Sequence, residues 1–266
     1  MLAPRIISQF PEHRCYVEPF GGGGSVLLRK PRCYAEVYND LDCEMVNLFK
    51  VARDNGAELA RQLTLTPFSR GEYLEAWYPS EDPIEQARRT VIRSFMGFGS
   101  AAITLMRAPA KKTRGGHAKT GFRSNSNRSG TTPAHDWANY PDCLMVLIER
   151  LRGVVIEQKD AKAVCITHDA PTTLHYIDPP YVKKSRSDDG DDYRHEMDDS
   201  DHIALAECLR NLTGTVIVSG YHSELYDQIY SGWRTVEMAA LADGAKKRTE
   251  VLWIKDAAGT IPEDHC

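Results

Sequence analysis

Between Gln86 and His135 the chain carries no aspartate or glutamate. The same stretch holds Arg88, Arg89, Arg93, Arg107, Lys111, Lys112, Arg114, Lys119, Arg123 and Arg128, a local charge of +10 in a chain whose formal net charge is −4. A solvated protein face ordinarily mixes signs. A one-sign block of this length points to a polyanionic partner, with a basic surface loop as the plain alternative. Other absences narrow the class further. The seven cysteines, at 15, 33, 43, 143, 165, 208 and 266, contain no Cys-x-x-Cys pair, which argues against a zinc knuckle or a disulfide scaffold and for a reduced cytosolic protein. No run approaches the roughly 20 apolar residues of a membrane helix. The opening MLAPRIISQFPEHRC has neither the basic flank nor the apolar core of a secretory signal. His135, His168, His175 and His195 stand at no ligand spacing, so no metal site is expected.

What is present suits a folded enzyme. The 266 residues, 42 % hydrophobic, suffice for one large core and a smaller satellite. A short helix is expected over Leu2–Phe10, a strand over Cys15–Val17, then the glycine run Gly21–Gly24 and a helix opening at Ser25–Leu28. A second strand over Tyr34–Tyr38 ends at Asn39-Asp40, and Met45–Phe49 reads as helical. Strand, turn, helix, strand is the start of a doubly wound α/β sheet. Helical periodicity over Ala57–Leu65, Tyr73–Trp77 and Ile84–Phe95 then gives way to a loop-like stretch, 107–132, so residues 53–143 read as an insertion. After it come a helix over Leu144–Leu151, strands at Val154–Ile156, His175–Ile177, Val216–Val218 and Val251–Ile254, and helices over His202–Leu212 and Glu224–Tyr230. The segment Val182–Asp201, with eight acids and four bases, reads as a mobile loop. The four tryptophans are expected to pack rather than to stack on bases.

Two motifs carry chemistry. Glu18-Pro19-Phe20-Gly21-Gly22-Gly23-Gly24-Ser25 puts glycines between a strand and a helix, where the backbone can approach a ligand closely. No lysine follows, so it is not the phosphate-binding P-loop. Asp40, after the next strand, can accept from ribose hydroxyls or cap a helix. Asp178-Pro179-Pro180-Tyr181 follows the apolar Tyr176-Ile177. Its prolines hold the chain extended and leave carbonyls free to accept. The Asp178 carboxylate and a proline carbonyl can each take one hydrogen of an aromatic amine. That draws the nitrogen lone pair out of conjugation and offsets the charge that grows as nitrogen attacks a methyl sulfonium. Tyr181 offers a flat face to a base. A structural Asp-Pro-Pro turn over a buried tyrosine is the bland reading.

Taken together the motifs resemble, over nearly the whole chain, the Dam-type (D12 class) DNA adenine N6-methyltransferases. The resemblance implies a Rossmann-like catalytic domain over 1–52 and 144–266, and an inserted, mainly helical and loop target-recognition domain over 53–143. It implies S-adenosylmethionine as cofactor, held by Glu18, Pro19, Phe20, Gly22, Gly24, Ser25, Asp40, Asp160 and Asp178. Catalysis would fall to Asp178, Pro179, Pro180 and Tyr181 on an adenine flipped out of double-stranded DNA. Val218-Ser219 and Arg248-x-Glu250-Val251-Leu252 resemble the family's late strands. Arg93–Gly99 and Thr120–Arg123 resemble elements that approach DNA. Arg93, Arg107, Lys111, Lys112, Arg114, Lys119, Arg123 and Arg128 are the DNA-contacting candidates. An aromatic-x-Gly-Gly-Lys element common before the family's first helix does not occur here, which implies either an upstream start or weaker cofactor binding. Transfer to cytosine N4 or to RNA, and a DNA-binding protein without catalysis, are the alternatives. A nicotinamide oxidoreductase would leave the Asp-Pro-Pro-Tyr motif and the basic block without a role.

Overall fold

The structure is a computed structural model that describes residues 2–97, 121–124, 131–182, 195–241 and 247–258. It contains two compact units. One gathers the described residues up to Leu41 and from Gly153 onward; the other is Asp42–Arg152.

The first unit is built on a seven-stranded sheet: β1 (Cys15–Glu18), β2 (Ala35–Asn39), β3 (Val154–Glu157), β4 (Thr173–Ile177), β5 (Thr215–Gly220), β6 (Arg234–Leu241) and β7 (Lys247–Lys255). Their order is β3-β2-β1-β4-β5-β7-β6. The first five run parallel, whereas β7 is antiparallel to both β5 and β6. This is the expected α/β, Rossmann-like sheet. β4 and β5 are buried along their whole length, as parallel strands covered on both faces must be. Ile177, Val216, Val218, Val251 and Trp253 form one side of a core closed by Leu205, Leu209, Tyr226 and Tyr230. The edge strand β6 escaped the sequence reading. Its alternation is shallow, with Val236 half-buried and Met238 buried while Arg234, Thr235 and Glu237 are exposed.

The second unit holds α2 (Cys43–Asp54), α3 (Gly56–Leu65), α4 (Arg70–Glu75), α5 (Pro83–Met96) and α6 (Pro133–Leu151), after the short α1 (Ala3–Ile7) of the first. The helical unit is therefore wider than 53–143. α2 packs against α5 and α6 rather than the sheet, so the boundary falls at Asp42, whose side chain caps α2 by accepting from Glu44 N at 2.9 Å. α6 begins eleven residues before the expected helix, at Pro133, and runs through Pro141. Tertiary anchoring overrides the proline there. Trp137 Nε1 donates to the Thr66 carbonyl at 2.8 Å, and the Trp137 ring stacks on Tyr140 and meets Phe95 edge-on. Trp77, Trp137 and Trp253 are buried and Trp233 packs against the core, as packing tryptophans should.

The remaining helices, α7 (Ala161–Thr167), α8 (Asp199–Arg210) and α9 (Glu224–Ile229), belong to the sheet unit. The sequence reading did not register α7. Part of the acidic segment expected to be loop proves to be a helix start: Asp198 accepts from Asp201 N, and Asp201 accepts from Asp198 N. Carboxylates there satisfy orphan amides and oppose the helix dipole. Residues 183–194 lie outside the described residues. The helix expected at Ser25–Leu28 does not form. The chain makes irregular turns instead, because Leu27 N donates to Glu18 Oε2, Gly24 sits at φ +62°, and Pro31 follows.

At the opposite end of the sheet from these loops, Asp169 fastens the starts of β4 and β5. It accepts from Thr213 N (2.7 Å), Thr213 Oγ1 (2.9 Å) and Gly214 N (2.9 Å), and lies 3.2 Å from Nε2 of the fully buried His175. Burial pulls the His175 pKa down to about 4, against the opposing pull of Asp169. The unfolded chain takes up this proton near pH 6.5 and the folded one does not, so stability falls as pH drops from 6.5 towards 4. Thermal melts of wild type and His175→Gln over that range should show a loss in the wild type, on the order of 2 kcal/mol, that the variant largely lacks. Equal slopes would remove His175 as the cause.

Candidate active site

Sheet order reverses between β1 and β4: the chain leaves β1 for β2 and β3 on one side, and builds β4 and β5 on the other. The strand ends at such a switch point form a crevice, and ligands of open α/β sheets bind there. The loops after β1, β2 and β4 are those carrying Glu18–Ser25, Asn39-Asp40 and Asp178–Tyr181.

The first two loops are bound together by side chains. Asn39, fully buried, donates from Nδ2 to the Pro19 carbonyl (2.8 Å) and to the Lys159 carbonyl (3.0 Å), and its Oδ1 accepts from Lys159 N (2.8 Å). One amide thus joins the loops after β1, β2 and β3. Gly22 N donates to Asp40 Oδ2 at 2.7 Å, and Tyr38 Oη donates to the Gly22 carbonyl at 2.7 Å. A side chain at Gly21 would stand 2.1 Å from the Tyr38 ring, so only glycine fits there. Gly22, at φ +47°, and Gly23 have no atom within 4 Å of where a Cβ would stand, which leaves this backbone open to a ligand. Asp40 is not the cap of α2, since Asp42 takes that role. Asp160 is exposed and caps α7 by accepting from Ala163 N at 3.1 Å. Pro19 is buried, Phe20 packs partly into the core, and Ser25 is exposed.

Beneath these loops lies negative charge with few donors. Glu18 is 2 % exposed; its Oε2 accepts from Tyr16 Oη (2.7 Å) and Leu27 N (3.0 Å). Burial, with the charge of Asp178 added, raises its pKa to about 8 despite those two hydrogen bonds. Asp178 keeps a little solvent contact. Burial first and the charge of Glu250 second bring its pKa up to about 7, with a hydrogen bond from Tyr181 pulling the other way. Tyr181 Oη donates to Glu250 Oε1 at 2.8 Å, Ser219 Oγ donates to the same oxygen at 2.7 Å, and the Tyr181 ring meets Tyr221 edge-on at 4.7 Å.

The sequence reading assigned no role to Glu250, Ser219, Tyr221 or Tyr16, nor to Asn39 as a strap. Only the acid that opens the apolar strand expected at Val251–Ile254, within Arg248-x-Glu250-Val251-Leu252, could have hinted at one of them. Of the DNA-contacting candidates, Arg107, Lys111, Lys112, Arg114, Lys119 and Arg128 lie outside the described residues. Arg93 is corrected: it is 3 % exposed and pairs with Glu44, so its charge serves the packing of α5 on α2 rather than a phosphate. Arg88 pairs with Glu72 and Glu85, and Arg89 with Glu85 and Glu75. Seven cations of the acid-free block remain, all from Arg107 onward. Arg123 is half-buried, donating from Nη1 to the Phe95 carbonyl at 3.0 Å, while Phe122 bridges to Gly97.

A carboxylate held at raised pKa costs stability wherever it ionises in the folded state. For Asp178 that cost is absent below about pH 4 and grows as pH rises through 7. Asp178→Asn should therefore stabilise the protein at pH 8 by roughly 1–3 kcal/mol and leave it unchanged near pH 4. Melting temperatures at the two pH values check this, and a variant less stable than wild type at pH 8 refutes it.

The model of the D12 class N6 adenine-specific DNA methyltransferase family matches residues 1–243. The chain is also 25 % identical to the Type II methyltransferase M1.LlaDCHI of Lactococcus lactis subsp. cremoris, over 94 % of this chain and 90 % of that protein. With a seven-stranded sheet, a glycine turn at its switch point and Asp-Pro-Pro-Tyr at the end of β4, the chain belongs to the D12 class of N6 adenine-specific DNA methyltransferases.

Proposed function

We propose that the chain methylates N6 of an adenine extruded from double-stranded DNA, with S-adenosylmethionine as the methyl donor and Asp178, Pro179, Pro180 and Tyr181 as the catalytic group. The observation that carries this reading is the position of Asp178-Pro179-Pro180-Tyr181, at the end of β4, directly beside the strand that feeds the glycine turn. The open backbone at Gly22 and Gly23 and the acid tied to it, Asp40, suit a ligand with hydroxyls and a charged tail. Pro19, Phe20, Gly22, Gly24, Ser25, Asp40 and Asp160 would line its seat, with Glu18 beneath. When bound, the cofactor supplies an electrophilic methyl group on a sulfonium.

The chain's own residues do the rest by position and charge. Asp178 and the Pro179 carbonyl accept the two amino hydrogens of adenine, which draws the nitrogen lone pair out of conjugation with the ring. As the nitrogen–methyl bond forms and the methyl–sulfur bond breaks, the carboxylate lies against the positive charge growing on nitrogen in a site of low dielectric, and the amino proton it holds is the one lost to leave a neutral product. The face of Tyr181 supports the extruded base. The raised pKa of Asp178 has a use here, since a more basic carboxylate is a stronger acceptor of the amino hydrogens. Arg107, Lys111, Lys112, Arg114, Lys119, Arg123 and Arg128 would meet phosphates, giving affinity that falls with salt. The cysteines among the described residues are free, in keeping with a reducing cytoplasm.

Transfer of labelled methyl from S-adenosylmethionine to unmethylated DNA, followed by digestion to nucleosides, should yield N6-methyladenine. Asp178→Ala should lose about a hundredfold to a thousandfold in rate with its fold preserved, the scale on which removing one preorganised electrostatic group acts. Methylation by that variant at wild-type rate rejects the mechanism; DNA binding without cofactor binding or product would favour a non-catalytic DNA-binding protein.

A further inference from the structure

Glu250 enters the site from the far end of the chain. β7 runs antiparallel to β5 with Gly220 opposite Val251 and Ser219 opposite Leu252, so Glu250 comes level with the loop that leaves β5. The residue is 2 % exposed. A single oxygen, Oε1, receives both Tyr181 Oη and Ser219 Oγ. Both of these donors are neutral hydroxyls, which a buried amide or hydroxyl could satisfy at smaller desolvation cost. A carboxylate at this position therefore brings something that hydrogen bonding alone does not require, namely its charge. The groups that face Asp178 are Glu18 and Tyr16 from β1, Tyr176 from β4, Tyr181 from its own loop and Glu250 from β7. Among them Glu250 is the carboxylate whose charge acts most on Asp178.

We propose that Glu250 is a positioning residue for methyl transfer, clamping the Tyr181 hydroxyl to the end of β5 while its charge keeps Asp178 a strong hydrogen-bond acceptor. The proposal rests on the roles given above to Asp178 and Tyr181. Clamped by Glu250 and met edge-on by Tyr221, the Tyr181 ring is fixed at its hydroxyl and along one side before any base arrives. A preoriented ring loses less freedom when a base stacks on it. The two functions are separable by substitution. Glu250→Gln keeps the shape and an accepting oxygen but removes the charge. Tyr181→Phe keeps the ring and the charge but removes the clamp and a donor near Asp178.

The test is the single-turnover methylation rate as a function of pH, from about 5.5 to 8.5, together with KM for DNA. Glu250→Gln should move the acidic midpoint down by roughly half a unit to one unit, and Tyr181→Phe should move it up. Opposite shifts are not what a loosened fold produces. In KM for DNA, Tyr181→Phe and Glu250→Ala should each cost roughly threefold to tenfold, the worth of one hydrogen bond, and the double variant should cost no more than either. A midpoint unmoved in Glu250→Gln, or losses that multiply in the double variant, overturns the proposal. Tyr181→Ala separates this failure from a deeper one. If that variant binds DNA and methylates as wild type does, the role of Tyr181 falls and the proposal falls with it; if it is impaired while Glu250→Gln keeps the wild-type midpoint, the proposal alone is wrong.

Discussion

Three carboxylates, Glu18, Asp178 and Glu250, are brought into one region under the strand ends, where the charge of Glu250 disfavours the ionisation of Asp178 and that of Asp178 disfavours the ionisation of Glu18. The hydrogen bonds that answer that repulsion at Glu18 and Glu250 come from neutral donors. Tyr16 and the Leu27 amide serve Glu18, and Tyr181 and Ser219 serve Glu250. The Leu27 amide is the one that diverts the chain from a helix after the glycine turn. The irregular backbone between Gly21 and Lys30 is thus part of the electrostatic arrangement rather than a poor helix. For chemistry that develops positive charge on a nitrogen, such a field is an asset in the transition state and a liability in the resting protein.

The sheet makes this concentration feasible. Parallel strands deliver the ends of β1, β2 and β4 to one rim, and the Asn39 amide locks the loops there into one set. The second unit has a different economy of charge. Its helices use arginine against glutamate internally, Arg88, Arg89 and Arg93 against Glu72, Glu75, Glu85 and Glu44. The other seven cations of the acid-free block all lie in sequence between α5 and α6.

Legibility in the sequence followed the range of the interactions. Asp178-Pro179-Pro180-Tyr181 was readable because its meaning is local: an apolar strand, two residues without amide protons, then an aromatic ring. The glycine turn was readable for the same reason, and family resemblance supplied the chemistry proposed for both. Glu250 was not readable, since its role depends on the register of β7 against β5 and on a tyrosine 69 residues away. Arg93 misled in the opposite way. Its neighbours in sequence are basic, but its partner Glu44 lies on another helix. The helix expected over Leu144–Leu151 starts earlier, at Pro133, because the anchoring of Trp137 to Thr66 carries it through Pro141. The shift of the unit boundary to Asp42 has the same origin, because which core a helix joins is decided by packing and not by its own periodicity.

The direction of β7 has a consequence for how the enzyme comes into being. In an all-parallel sheet the last strand would bring its C-terminal end to the rim; here the strand is inverted, and it is the beginning of β7 that completes the site. The glycine turn, the Asn39 strap and Asp178 all precede it on the ribosome, but the Tyr181 hydroxyl finds its acceptor only when the final strand has inserted between β5 and β6. The rim formed by the ends of β1, β2 and β4 is thus complete in sequence before the residue that anchors the Tyr181 ring.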